Sequence, residues 1–327
     1  MSFAFGQATY FHLADIARFS RVMQKTGKSL HLVVLGQDIH AGHRVLLRTA
    51  QQLGVVVAAV ELPHVDVVDA GDAGDTTEPG GTTKAVGTVE TTTGAADAAP
   101  GAQAHETNLG APSRQLNPEL MDVLREAGVD AVVPYTREPG EKDSLWPQGL
   151  RTQITPPEGL EDSSALAEAL TVHLSLLHAV GPDSIIAGEK DYEFLLRLQQ
   201  AITDLHLAVK VQGVPTVRMP DGLAMSLRNT EIPVEHREKA VALSAALTAG
   251  AHVAERGAQG VLETAQDVLD AAGVQPDYLE LRARDFGPAP QEGDARLLVA
   301  ATFGGVRLID NVGVPVGIGF RNLDGDN

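Results

Sequence analysis

Two β-branched apolar runs, residues 30–35 and 55–60, bracket a segment whose apolar side chains recur at helical spacing. No other feature of the chain limits its fold as much. Between the runs, residues 41–53 place Val45, Leu46, Leu47, Ala50 and Leu53 on one helical stripe, and Gly54 ends the pattern. A hairpin joins its strands with a few residues, whereas about twenty separate these two, which is a crossover length. Strand, loop, helix, strand is the opening of a parallel α/β sheet.

The alternation continues. Residues 119–127 read as a helix closed by Gly128, 130–134 as a short strand, and 163–179 as a strongly apolar helix. Residues 184–187 and 208–214 read as strands on either side of a helix at 194–204. This predicts a Rossmann-like, doubly wound parallel sheet, with residues 1–212 as a nucleotide-binding domain. Beyond it, 234–256 reads as one long Ala-rich helix, 259–272 as a second, and 278–283, 295–302 and 306–311 as strands. That order suggests a smaller C-terminal α+β domain over 213–315, followed by a tail at 316–327. Residues 66–111, rich in Gly, Ala, Thr and Asp and without periodicity, cannot offset their ordering entropy and read as a flexible insert within the first domain, with a domain linker as the alternative.

Composition narrows the function classes. A formal charge of −18, with no basic cluster longer than a few residues, argues against nucleic-acid binding. The chain has no cysteine, which excludes a disulfide scaffold, a Cys-based zinc site and a thiol nucleophile. The first residues, MSFAFGQATYFHLADIARFSR, lack the basic-then-apolar order of a secretory signal. No run approaches the roughly 20 apolar residues of a bilayer span, so the expectation is a cytoplasmic protein without a membrane partner.

Three short motifs carry candidate chemistry. His40-Ala41-Gly42-His43 stands between a strand and a helix N-terminus, where free N–H groups and the helix dipole favour phosphate. Two histidines there, with Gly42 allowing close approach, can donate to phosphate oxygens; two surface histidines at a helix start would read the same way. Gly188-Glu189-Lys190-Asp191 directly follows the strand at 184–187, and ligands of open α/β sheets bind at strand C-termini. Lys190 offers a compact positive charge for phosphates, and Asp191 can orient it or help hold Mg2+; a solvated turn with a local ion pair is the plainer alternative. In Asp221 to Asn229, Ser226 and Arg228 offer a hydroxyl donor and a bidentate phosphate clamp, or simply a polar loop.

The order and spacing of all three, with Val214-Pro215-Thr216-Val217-Arg218, Trp146-Pro147-Gln148-Gly149-Leu150-Arg151, Asp277 to Arg282 and Arg307 to Asn311, resemble the pantothenate synthetase (pantoate–β-alanine ligase) family. That family is part of the nucleotidyltransferase superfamily of HIGH/KMSKS-type adenylating enzymes. The resemblance implies ATP-dependent condensation of pantoate with β-alanine through an acyl-adenylate, with a small carboxylic acid, an amine, ATP and Mg2+ as partners and a homodimer as the assembly. By position it implies phosphate contacts from His40, His43, Lys190, Ser226 and Arg228, and backbone contacts to adenine and ribose around Gly188 and Val217.

The acid side departs from the family pattern. A pocket Met of the family stretch P-T-M-G-A-L-H is Gly36 here, and a pantoate-binding Gln in F-V-N-P-L-Q-F is Val65. After GEKD the family has Y-Q-Q, where this chain has Tyr192-Glu193-Phe194, so the second glutamine is Phe194. The L-E-G-x-x-R-P-x-H-F loop is shortened over 158–168, a following Lys is Ser175, and the second Ser of S-S-R is Leu227. An unpaired buried hydroxyl or carboxylate costs about 1–3 kcal/mol, so two lost amides correspond to roughly 10²–10⁴-fold in pantoate use. Three functions therefore stay open on sequence alone: a pantoate–β-alanine ligase, a ligase for another carboxylic acid, and a non-catalytic nucleotide-binding paralogue.

Overall fold

Strands buried on both faces need apolar residues at successive positions, and the first β-branched runs supply them. A computed structural model of the protein describes residues 3–63 and 116–318. In chain order its first part comprises β1 (Thr9–Tyr10), α1 (Leu13–Lys25), β2 (Leu30–Leu35), α2 (Ala41–Leu53), β3 (Val55–Glu61) and α3 (Pro118–Glu126). It continues with β4 (Ala131–Tyr135), α4 (Ser163–Val180), β5 (Ser184–Gly188), α5 (Tyr192–Asp204) and β6 (Lys210–Val214). The six strands pair in parallel in the order β1-β4-β3-β2-β5-β6.

Alternate side chains of each central strand enter opposite layers. Leu30, Leu32, Val55, Val57, Val133 and Tyr135 pack with Ile16 and Phe19 of α1, Leu170 and Leu177 of α4, and Leu198 of α5. Val33, Leu35, Val56, Ala58, Val60 and Val132 pack with Leu47 of α2 and Leu124 of α3. Each such fully buried side chain contributes about 1.5–3 kcal/mol of transfer free energy, which is what holds helices to both faces. The doubly wound α/β sheet expected from the sequence is thus present. Its strand order reverses between β2 and β5, and their C-terminal ends open one crevice.

The second part comprises α6 (Val234–Ala240), α7 (Ala242–His252), α8 (Gly257–Ala271), β7 (Tyr278–Ala283), β8 (Gly293–Phe303) and β9 (Val306–Val316). The strands form an antiparallel sheet in the order β7-β8-β9, packed on α7 and α8. Gly304 and Gly305, at φ 58° and 89°, make the two-residue turn between β8 and β9 that this strand twist requires.

Four readings need correction or completion. The single helix expected at 234–256 is two helices and a 3₁₀ turn, Ala254–Arg256. The interruption falls at Val241, whose carbonyl accepts from the Ala245 N–H at 3.3 Å and from the Ser244 hydroxyl at 3.1 Å. β1 and α1 carry no sequence signal strong enough to have been expected. α4, 18 residues with a mean hydropathy of 1.2, is long and apolar enough by length and composition to span a bilayer. Half of that window is buried and its leucines fill one layer of the parallel sheet, so it reads as a core helix. The insert at 66–111, Val65 and the tail from 319 onward lie outside the described residues.

Candidate active site

The chain leaves β2, crosses a short loop and starts α2 at the crevice, so the N-cap position of α2 decides what faces a ligand. His40 occupies it with extended backbone, φ −106° and ψ 176°. Its Nδ1 accepts from the Gly42 N–H at 3.0 Å, while His43 Nδ1 receives the His40 N–H at 3.4 Å. This is a capping box built from two imidazoles, satisfying helix-terminal donors reciprocally. The rings stack at 3.9 Å and 19°. A Cβ on residue 42 would lie 2.7 Å from the His40 ring, so glycine is what lets the ring fold over the amide.

The caps also fix the protons. A nitrogen that accepts from an N–H keeps its lone pair, so each neutral ring carries its hydrogen on Nε2, a donor. Burial, and then the Lys190 charge, hold His40 below the ordinary histidine value. Burial, and then His40, push His43 down to about 4 against an opposing contact with the Asp38 backbone. Both imidazoles are therefore neutral donors at physiological pH.

The opposite lip is the end of β5. The Asn311 side-chain amide, reaching over from β9, donates to the carbonyls of Glu189 at 3.0 Å and Lys190 at 2.9 Å. Arg296 of β8 bonds the Glu189 carboxylate at 2.9 Å and lies 4.2 Å over the Tyr192 ring. Clamped from the second sheet, the segment presents Lys190, whose ammonium lies 3.7 Å from Asp191. Asp191 precedes α5 without capping it, which leaves its carboxylate open to solvent. No group of three or more metal-ligating side chains occurs among the described residues, and Asp191 is a carboxylate on the cleft wall that could serve as one ligand.

The third segment follows β6. Arg218 pairs with the buried Asp310 through two bonds, 2.6 and 3.1 Å, and is thereby structural. Ser226 caps the 3₁₀ turn Leu227–Thr230 through the Arg228 N–H at 3.3 Å. Arg228 itself is exposed and makes no ion pair among the described residues.

These segments line one cleft of about 960 Å³. It brings together His40, Gly42, His43, Gly188, Lys190, Asp191, Val217, Ser226, Arg228 and Phe194. Gly36 is not on its wall, and nothing among the described residues lies within 4 Å of where its Cβ would be. Val65 is outside the described residues.

The cleft also contains groups the sequence reading missed. Buried Glu193 accepts from the N–H groups of Leu160 at 2.9 Å and Glu161 at 3.0 Å and pairs with Arg197 at 3.3 Å. Glu161 in turn accepts the Tyr278 hydroxyl at 2.8 Å and two Arg307 bonds at 2.7 and 3.1 Å. Burial and the Glu161 charge drive the Tyr278 phenol upward, and Glu161 raises Arg307 as well. The shortened loop is thus organised by carboxylates. The glutamate after Tyr192 could have signalled this only by being a charge in an otherwise apolar helix face. His173 of α4 lines the cleft too, and no motif marked it.

A family model described as pantoate-beta-alanine ligase matches residues 113–313. A pantothenate synthetase of Corynebacterium jeikeium strain K411 is 41% identical over 335 residues, covering 99% of this chain and 95% of its own length. One from Mycobacterium avium strain 104 is 37% identical over 329 residues, with 97% and 93% covered. Among solved structures, pantothenate synthetase from Thermus thermophilus superposes with a TM-score of 0.65 at 26% identity, covering 93% of this chain and 98% of that one.

Proposed function

This chain belongs to the pantoate–β-alanine ligase family, and we infer from that premise how its cleft joins pantoate to β-alanine at the expense of ATP. The activity is ATP-dependent pantoate–β-alanine ligation, a two-step reaction. A pantoate carboxylate oxygen attacks the α-phosphorus as its bond to the β-phosphate oxygen breaks, releasing pyrophosphate. The β-alanine amine then attacks the acyl carbon and loses a proton as AMP departs with the bridging oxygen.

The roles of individual residues are our proposal. Both steps move negative charge onto phosphate oxygens, so the useful groups are donors fixed beforehand. In this role His40 and His43, both on the cleft wall at the start of α2, serve as neutral donors, while Lys190 and Arg228 supply full charges. Ser226 adds a hydroxyl, and Gly42 gives the phosphates room to approach the helix amides. The backbone at Gly188 and Val217 holds the nucleoside side. Mg2+ keeps most of its water and takes one or two carboxylates with substrate phosphates, so Asp191 fits as a protein ligand; the ion would neutralise phosphate charge. A homodimer and a cytoplasmic location belong to the same proposal, and light scattering of the purified protein checks the first.

The observation that carries the assignment is the double imidazole cap, which holds both histidines neutral and donating beside Lys190. ATP–pyrophosphate exchange tests it. We expect exchange only when pantoate is added, and a loss of about 10²–10³-fold in Lys190→Ala. Saturable ATP binding without pantoate-dependent exchange would overturn the reading.

A further inference from the structure

We propose that His173 is the acid-recognition residue of this chain, its Nε2 accepting a hydrogen bond from a pantoate hydroxyl. The inference rests on the ligase reading above and deepens it. The residues of α4 that line the cleft are Ala165, Leu166, Ala169 and His173, so His173 alone among them carries a polar group. Its Nδ1 lies 2.7 Å from the Ala169 carbonyl oxygen. A carbonyl only accepts, so the ring hydrogen sits on Nδ1 and the lone pair on Nε2.

That tautomer is the reverse of the one at His40 and His43. The phosphate side of the cleft is built from donors; the α4 side ends in an acceptor. His173 Nε2 has no partner among the described residues and is not sealed off, in contrast to His31, whose Nε2 is buried without one. Phe194 holds the imidazole in place, ring centres 4.7 Å apart and planes at 60°. Burial lowers the ring's pKa to about 4, so it does not charge at physiological pH.

Pantoate presents a carboxylate, two hydroxyls and a dimethyl carbon. A lone pair repels the carboxylate and attracts a hydroxyl hydrogen, while the Phe194 face suits the methyl groups. The carboxylate is thereby turned away from α4, toward the cations that gather the phosphates. Where the family resemblance leads one to expect a glutamine, Phe194 and His173 divide its work between an apolar wall and an acceptor.

The test compares wild type, His173→Val and His173→Gln with pantoate and with the two analogues that each lack one of its hydroxyls. Wild type should favour pantoate over one analogue by about 10-fold or more. His173→Val should raise KM for pantoate by about 10–100-fold, leave KM for ATP within about twofold, and lose that discrimination. Gln, which offers a carbonyl acceptor, should restore part of it. A folded His173→Val enzyme with unchanged pantoate KM and unchanged discrimination would overturn the inference while leaving the ligase reading intact. Equal use of pantoate and both analogues by wild type would do the same without any variant. Absence of pantoate-dependent exchange in wild type would overturn both.

Discussion

At His43 one side chain performs two tasks: Nδ1 caps α2, and the ring lines the cleft. Asparagine can imitate the first task but not the second, because its side-chain oxygen falls where Nδ1 was. His43→Asn should therefore keep its thermal midpoint close to wild type, whereas His43→Ala should lose about 0.5–1 kcal/mol with the cap. Both should lose exchange activity by about 10²–10³-fold. Acidification gives a second check. Burial pushes His43 down to about 4 from the ordinary 6.5, so the unfolded chain takes up the proton first as pH falls. The stability it contributes is complete above 6.5 and lost on approach to 4. Urea unfolding at neutral pH and at about pH 5 should show His43→Asn losing less than wild type. Motif residues such as these were legible because they sit where strands hand over to helices. His173 was not: mid-helix among leucines it looks like a core histidine, and only its exposure to the cleft shows otherwise.

Elements were read correctly where burial and periodicity agreed. β2 to β5 and the helices α2 to α5 announced themselves because nearly every apolar position is committed to one face, whereas the two-residue β1 and α1 did not. Over 234–256 an Ala-rich composition favours continuity, and nothing in the apolar spacing marks the breaks at Val241 and Val253. The contacts that fit the second sheet to the cleft were illegible for another reason. Asn311 lies 121 residues from the carbonyl of Lys190, and Arg307 lies 146 from Glu161. Such pairs follow from tertiary geometry alone. Asn311→Ala should consequently leave the carbonyls of Glu189 and Lys190 without that donor and raise KM for ATP several-fold with little change in KM for β-alanine. Arg218→Ala strands the buried Asp310 charge and should cost about 2–4 kcal/mol in chemical denaturation, without a direct effect on the substrates.

For the molecule as a whole, the cleft is a joint product of both sheets, so ligand binding and global stability are linked. ATP at about 100 times its dissociation constant should add about 2.7 kcal/mol to the unfolding free energy. In a protein of this size that corresponds to a rise of roughly 5 °C in thermal midpoint, and Lys190→Ala should lose most of it. The convergence of the motif residues His40, His43, Lys190, Ser226 and Arg228 on one cleft was readable from their places at strand ends and helix starts, whereas His173, mid-helix on α4, carried no motif. One consequence concerns synthesis. The amide that steadies the Lys190 segment comes from Asn311, which the ribosome adds 121 residues later. At ordinary elongation rates that is a gap of roughly ten seconds. During it the nascent parallel sheet can be complete while the Lys190 segment still lacks its clamp.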